Sequence, residues 1–303
     1  MEPIIIDNIT KRFDEKVAVD QLSLTVPSGV IYAVIGPNGA GKSTTLRMLL
    51  NILLPDEGRI EVLGTTDVQK ILNKIGYLPE ERGLYQKMKV IQLLQFMGEL
   101  KGLSASDAKN RGFEWLKRLD IREWANKKVE ELSKGMQQKV QFIGTIIHDP
   151  EIVILDEPFS GLDPVNMEIL KELILEMKEN NKTVLYSTHV MDQAEKLSDY
   201  ICLINDGKVV LNGELQKIKQ EYGKNKVVLE LKNGEKINWD QFSYVEQARD
   251  FGNYFEVKLT NLDDSQKLLK DLMSTNSIEI YRFQTSQSSL HEIFVEMVGG
   301  TKE

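Results

Sequence analysis

Gly36-Pro37-Asn38-Gly39-Ala40-Gly41-Lys42-Ser43-Thr44 joins three glycines to a lysine and two hydroxyls. Glycines let successive backbone N–H groups converge on one anion, and a following helix N-terminus adds about half a positive charge there. Lys42 has the reach for the β- and γ-phosphates of a nucleotide, while the Ser43 hydroxyl suits a magnesium ion. Much further along, Ile152-Val153-Ile154-Leu155 ends in two carboxylates, Asp156 and Glu157. Asp156 is suited to reach a magnesium held by Ser43, and Glu157 to act as a base or to position water against the γ-phosphate. A third stretch, Leu132-Ser133-Lys134-Gly135-Met136, leads into a helical pattern through Val140, Ile143 and Ile147. It offers a second helix N-terminus to an anion, with a plain serine cap as the alternative. These types and spacings predict binding of a nucleoside triphosphate.

Such residues work only if strands and helices hold them. The apolar, β-branched run 30–35 reads as a buried strand, and Leu46, Leu49, Leu50 and Leu53 then follow helical spacing. Short strands are expected at 4–6, 22–26 and 59–63. The alternation of Leu22, Leu24 and Val26 suggests antiparallel pairing with one wet face. Val90, Leu93, Leu94, Met97 and Leu100 mark one helix, and Phe113, Leu116 and Leu119 a second. Strands at 152–155, 183–187 and 201–204, with a helix over about 165–178, give βαβ spacing and a parallel sheet. The charged stretch from Asn212-Gly213-Glu214 to Asn225 marks a boundary, so domains at 1–215 and 216–303 are expected. In the second, 227–232 and 235–239 flank Asn233-Gly234, a two-residue hairpin signal. Strands at 254–260 and 278–283 enclose a helix around 268–273. Ser289 and Glu292 form a capping box for a last helix with Leu290, Ile293, Phe294 and Met297 on one face. This α+β domain carries no catalytic constellation and reads as a packing or pairing module.

Composition sets the outer limits. The 303 residues are 41% hydrophobic and 28% charged, as in ordinary globular proteins. No apolar run approaches the ~18 residues of a membrane span, and the opening residues lack the basic segment of a secretory signal. Cys202 is the single cysteine, which rules out disulfides within the chain and thiolate zinc sites. A net charge of −8 argues against a nucleic-acid surface. A cytoplasmic chain is expected.

The segments at Gly36, Ser133, Asp156 and His189 come in the order and spacing of the ATP-binding cassette (ABC) ATPases, a resemblance that spans roughly residues 2–215. The tail Leu290-His291-Glu292-Ile293-Phe294 resembles the C-terminal extension of bacterial sodium- and drug-efflux ATPases. The family implies an α/β P-loop NTPase core with an antiparallel β subdomain and a helical subdomain at about 88–148. It implies ATP and Mg2+ as ligands. Hydrolysis would take place in a homodimer or heterodimer, where Ser133, Lys134, Gly135 and Met136 close over the ATP of the other subunit. Asp163, in Ser160-Gly161-Leu162-Asp163, belongs by resemblance to the loop that links the two sites. His189 matches the switch histidine at the γ-phosphate. Phe13 falls where an aromatic stacks on adenine; a core phenylalanine is the alternative.

Three positions depart from the family pattern. Lys134 and Met136 replace the usual third and fifth residues of Leu-Ser-Gly-Gly-Gln, which spares the backbone donors but alters side-chain contacts. Glu80, after Gly76-Tyr77-Leu78-Pro79, stands where a glutamine normally senses magnesium and the membrane partner. A carboxylate binds a hard cation more strongly than an amide does. The resemblance therefore implies an ATP-driven exporter subunit, peripheral on the cytoplasmic face of the membrane and partnered by a separate transmembrane permease. Residues 85–96 are expected to dock on that permease, or else to be helical core. A non-transport ABC switch in DNA repair or on the ribosome is the rival. Such proteins generally carry two cassettes or a coiled-coil insertion and basic surfaces. A purely structural subunit is disfavoured by Lys42, Asp156, Glu157 and His189.

Overall fold

A computed structural model describes residues 2–81, 83–222, 225–232, 237–261, 263–274 and 278–299. The chain forms two compact units, Met1–Glu214 and Leu215–Glu303.

The first unit starts with two long strands, β1 (Ile4–Phe13) and β2 (Lys16–Val26), followed by the short β3 (Ile31–Ile35). With β4 (Glu57–Val62), the first two make an antiparallel sheet in the order β2-β1-β4. Residues 4–6, 22–26 and 59–62 all lie in this sheet, but its strands run well past the apolar alternation that announced them. The extra length is mostly polar, and its buried Ile9, Thr10 and Val19 make no period-two run, so hydrophobic alternation alone did not reveal it. A second sheet, of six strands, is ordered β5-β6-β7-β3-β8-β9. Its other members are β5 (Ile75–Leu78), β6 (Ile152–Leu155), β7 (Thr183–Thr188), β8 (Tyr200–Asn205) and β9 (Lys208–Glu214). All pairings are parallel except β8 with β9. Every residue of β3 is buried, as a strand covered on both faces must be. One apolar cluster joins the sheets, from Ile4, Leu22 and Val62 to Val34, Ile154 and Cys202.

Five further helices follow α1 (Lys42–Leu49) in this unit. Three of them, α2 (Val90–Leu100), α3 (Ala105–Arg118) and α4 (Lys134–Ile146), lie between β5 and β6 in sequence. The other two, α5 (Pro164–Glu179) and α6 (Met191–Leu197), are the crossovers β6–α5–β7 and β7–α6–β8. The helix after the glycine-rich turn stops at Leu49 and does not reach Leu53. Asn51 takes a left-handed φ of 56°, and the N–H groups of Ile52 and Leu53 turn back to the Arg47 carbonyl.

The second unit holds α7 (Leu215–Tyr222), β10 (Asn225–Leu231), β11 (Val245–Asp250), β12 (Phe255–Leu259), α8 (Asp264–Met273), β13 (Ile280–Gln287) and α9 (Leu290–Gly299). Its antiparallel sheet runs β11-β12-β10-β13 over a core of Val227, Leu229, Val257, Leu259, Leu268 and Leu272. The capping box of α9 is present: Ser289 N donates to Glu292 Oε2 at 2.9 Å, and Glu292 N to Ser289 Oγ at 3.2 Å. The turn Asn233-Gly234 and residues 235–236 lie outside the described residues; β10 pairs with β12 and β13. Where a strand was expected to continue to 239, Asn238 caps a 3-10 turn, and Trp239 packs on Phe242 and Phe255 at centroid distances of 6.2 and 5.5 Å. Asn212-Gly213-Glu214, read as a boundary signal, closes β9, and the chain divides into its two units directly after it.

Candidate nucleotide-binding site

The sheet order puts β3 between β7 and β8, so its C-terminal end opens where crossovers diverge, the usual place for a ligand crevice in an open α/β sheet. The chain leaves that end as a tight turn and starts α1 at Lys42. Gly41 caps the helix with φ 105°, a left-handed conformation that favours glycine. Gly36 is required for another reason: a Cβ there would sit 2.1 Å from the Ile204 carbonyl oxygen. Lys42 is nearly buried, and its Nζ donates to the carbonyls of Gly36 at 2.9 Å and Pro37 at 3.1 Å.

The end of β6 brings two carboxylates to this turn. Ser43 Oγ donates to Asp156 Oδ1 at 2.9 Å. The same oxygen accepts from Ser187 Oγ at 2.6 Å. Asp156 is 1% exposed, yet its buried Oδ2 has no hydrogen-bond partner. An unsatisfied buried carboxylate oxygen beside a serine hydroxyl is a donor set for a hard divalent cation. Among the described residues no three His, Cys, Asp or Glu side chains gather into a metal cage. That donor set therefore fits Mg2+, which keeps waters and phosphate oxygens and takes few protein ligands.

Glu157 sits in a left-handed φ of 47° and donates its backbone N–H to Ser187 Oγ at 2.9 Å. Its carboxylate is 3.4 Å from Lys42 Nζ, and His189 Nδ1 lies 3.0 and 3.1 Å from its two oxygens. A cleft of about 370 Å³ is lined by Phe13, Lys16, Asn38, Lys42, Glu80 and Glu157, among others. Phe13 is 44% exposed there, which removes the core-phenylalanine alternative. A neighbouring cleft of about 380 Å³ includes Glu80, Gln141, Asp156 and Glu157. Burial first, and then the Asp156 charge, push the Tyr77 phenol above its ordinary pKa.

Ser133 caps α4, its Oγ accepting from Met136 N at 3.3 Å. Ser133 and Lys134 are exposed, Gly135 and Met136 half-buried, and none of the four lines either cleft. They neighbour Asp163 instead: a Cβ at Gly135 would lie 3.0 Å from Asn166 Nδ2 and 3.9 Å from Asp163 Oδ2. Asp163 caps α5, and hydrogen bonds from the Asn166 backbone and side chain hold its carboxyl below the usual range. The stretch 85–96 divides. Val90, Ile91, Leu93 and Leu94 are buried, whereas Tyr85 and Phe96 are exposed and meet edge to face at 5.8 Å.

Sequence reasoning missed two polar residues. Gln141, buried on α4, points its Nε2 at the Pro79 and Glu81 carbonyls at 3.5 and 3.4 Å, bracketing Glu80. Ser187 is fully buried and bridges Asp156 and Glu157. A hydroxyl at the end of an otherwise apolar strand was the available signal for the second.

Over 300 residues, 99% of this chain and 100% of the relative, the sequence is 42% identical to the uncharacterized ABC transporter ATP-binding protein YhaQ of Bacillus subtilis (strain 168). The chain belongs to the ABC transporter ATP-binding proteins. An ABC transporter profile matches residues 19–160, and one for the DrrA1-3-like ATP-binding protein C-terminal domain matches residues 213–298. The bacitracin transport ATP-binding protein BcrA of Bacillus licheniformis is 30% identical over 97% of this chain and 96% of its own. The dimeric, post-hydrolysis ATP-binding cassette MJ0796 with ADP and Pi superposes with a TM-score of 0.65 at 26% identity, covering 70% of this chain and 98% of that one. This ABC transporter subunit is thus an ATP-binding protein and an ATPase. Among its described residues no helix is long and apolar enough to cross a membrane.

Proposed function

We propose that this subunit binds Mg2+-ATP at the end of β3 and powers export through a separate membrane subunit, on whose cytoplasmic face it sits. The observation that carries the reading is the Ser43–Asp156 hydrogen bond of 2.9 Å, with Lys42 and Glu157 beside it. Backbone N–H groups of residues 36–44 and the α1 N-terminus cradle the phosphates, and Lys42 exchanges its carbonyl partners for phosphate oxygens. Ser43 and Asp156 hold the magnesium, with Glu80 at its rim; the ion supplies charge neutralisation at the β- and γ-phosphates. Glu157 orients water in line with the γ-phosphate, and His189 holds the Glu157 carboxylate and meets the γ-phosphate. Phe13 presents a ring for adenine.

Ser133, Lys134, Gly135, Met136 and Asp163 face away from this cleft because they serve the nucleotide of a second subunit, a copy of this chain or a similar one. The dimeric form of MJ0796 supports that assignment. The bacitracin transport protein BcrA supports transport, and the daunorubicin and linearmycin resistance ATP-binding proteins among the relatives support export as the direction. The exposed Tyr85–Phe96 pair is the surface offered to the membrane subunit. Glu157→Gln should cut hydrolysis by about two orders of magnitude, leave ATP binding intact and double the apparent mass on gel filtration with Mg2+-ATP. Lys42→Ala should abolish hydrolysis. A Glu157→Gln protein that hydrolyses ATP at the parent rate sinks the assignment.

A further inference from the structure

Ser187 and Thr188, which end β7, and His189 just after them each grip a different part of the site. Thr188 accepts the Gly36 N–H on its carbonyl at 3.3 Å, tying β7 to the phosphate turn. His189 Nδ1 faces the Glu157 carboxylate. Ser187 has the least ordinary place. It is 0% exposed, donates through Oγ to Asp156 Oδ1 at 2.6 Å and accepts through that oxygen from the Glu157 N–H at 2.9 Å. One hydroxyl thereby uses its single proton on one carboxylate and a lone pair on the backbone of the next residue.

Both bonds act where the chain is most in need of restraint. Asp156 has two carboxylate oxygens; the Ser187 and Ser43 hydroxyls occupy Oδ1, which leaves Oδ2 as the unsatisfied atom. The carboxylate cannot rotate freely about its Cβ–Cγ bond without giving up both donors. Glu157 adopts a left-handed φ of 47°, which an unbranched L-residue keeps only when its surroundings hold it. Its backbone N–H has the Ser187 oxygen as a fixed anchor, so that oxygen sets the direction in which the Glu157 side chain leaves the strand.

We infer that Ser187 is a positioning residue for hydrolysis, whose hydroxyl orients Asp156 toward the cation and Glu157 toward the attacking water. This rests on the Mg2+-ATP reading of the site.

The test compares Ser187→Thr with Ser187→Val, which have the same shape and differ only in the hydroxyl, so any strain from the added methyl cancels. Both suit a strand. The readouts are kcat, KM for ATP and Mn2+ binding to the protein–ATP complex by electron paramagnetic resonance. Relative to the threonine protein, the valine protein should lose about 10- to 100-fold in kcat or Mn2+ affinity, with KM for ATP changed by less than threefold. Ser187→Ala should fall with valine. Equal kcat and equal Mn2+ affinity for threonine and valine in an active parent overturn the role of Ser187 alone. A parent chain that binds no Mn2+-ATP overturns the underlying site reading, and this inference with it.

Discussion

Glu80 stands where the family resemblance implies a glutamine. It lines both clefts, on a loop whose flanking carbonyls at Pro79 and Glu81 face the Gln141 amide. A carboxylate there adds negative charge beside Asp156, Glu157 and a triphosphate, which a bound cation helps Lys42 to offset. Glu80→Gln should therefore weaken Mg2+ binding, raising the half-saturating Mg2+ concentration by about threefold to tenfold with little change in ATP binding without metal. An unchanged Mg2+ titration and an unchanged ATPase rate would remove Glu80 from the metal site. At this scale the residues proposed to hold phosphate were legible, because a phosphate turn needs glycine, lysine and hydroxyl types at set spacing. Ser187 and Gln141 were not. Their partners are carbonyls and carboxylates brought near by sheet order, and sheet order is not a local property of sequence.

Among the elements, strands such as Ile31–Ile35 and Ile152–Leu155 were readable because each is short, apolar and buried, whereas β5 and α6 were not read from the sequence. The second unit was harder. The turn signal Asn233-Gly234 falls outside the described residues, and at 239, where a strand was expected, Trp239 sits in a 3-10 turn and packs on Phe242 and Phe255. Such ring packing is tertiary and leaves no local pattern. The joint between α4, α2 and β5 makes a prediction of its own. His148 follows α4 and puts Nε2 3.2 Å from the Ile75 carbonyl, where Lys101, from the end of α2, also donates at 3.0 Å. Burial, then the Lys101 charge, depress its pKa from 6.5 to about 4, with Arg111 adding and the Ile75 carbonyl and Asp149 opposing. The unfolded chain thus binds the proton more tightly than the native one. Stability is intact above about pH 6.5 and drains away as pH falls toward about 4, by about 2 kcal/mol between pH 7 and 5. Urea midpoints of the parent should fall more over that range than those of His148→Gln, which cannot titrate. Parallel slopes in the two proteins would show that His148 is not the sensitive group.

Over the whole molecule, chemistry and accessory structure separate cleanly. Lys42, Ser43, Asp156, Glu157, Ser187 and His189 all belong to Met1–Glu214, and the apolar cluster beneath them draws on that unit alone. The sheet of Leu215–Glu303 has its own core around Val227, Val257 and Leu268. Two cores with no shared member are what independently folding units require. The first has its last strand, β9, fully paired with β8 up to Glu214, so a chain ending there leaves no half-made ladder. A protein comprising residues 1–214 should therefore fold, unfold in a single cooperative transition and bind a fluorescent ATP analogue within about threefold of the full chain, a difference under 1 kcal/mol. A folded 1–214 protein with nucleotide affinity reduced tenfold or more would mean that the C-terminal unit contributes to the site. Measured at protein concentrations where the cassettes stay monomeric, nucleotide affinity isolates this question from dimerisation and from the membrane subunit, because one cassette supplies every residue that lines the cleft.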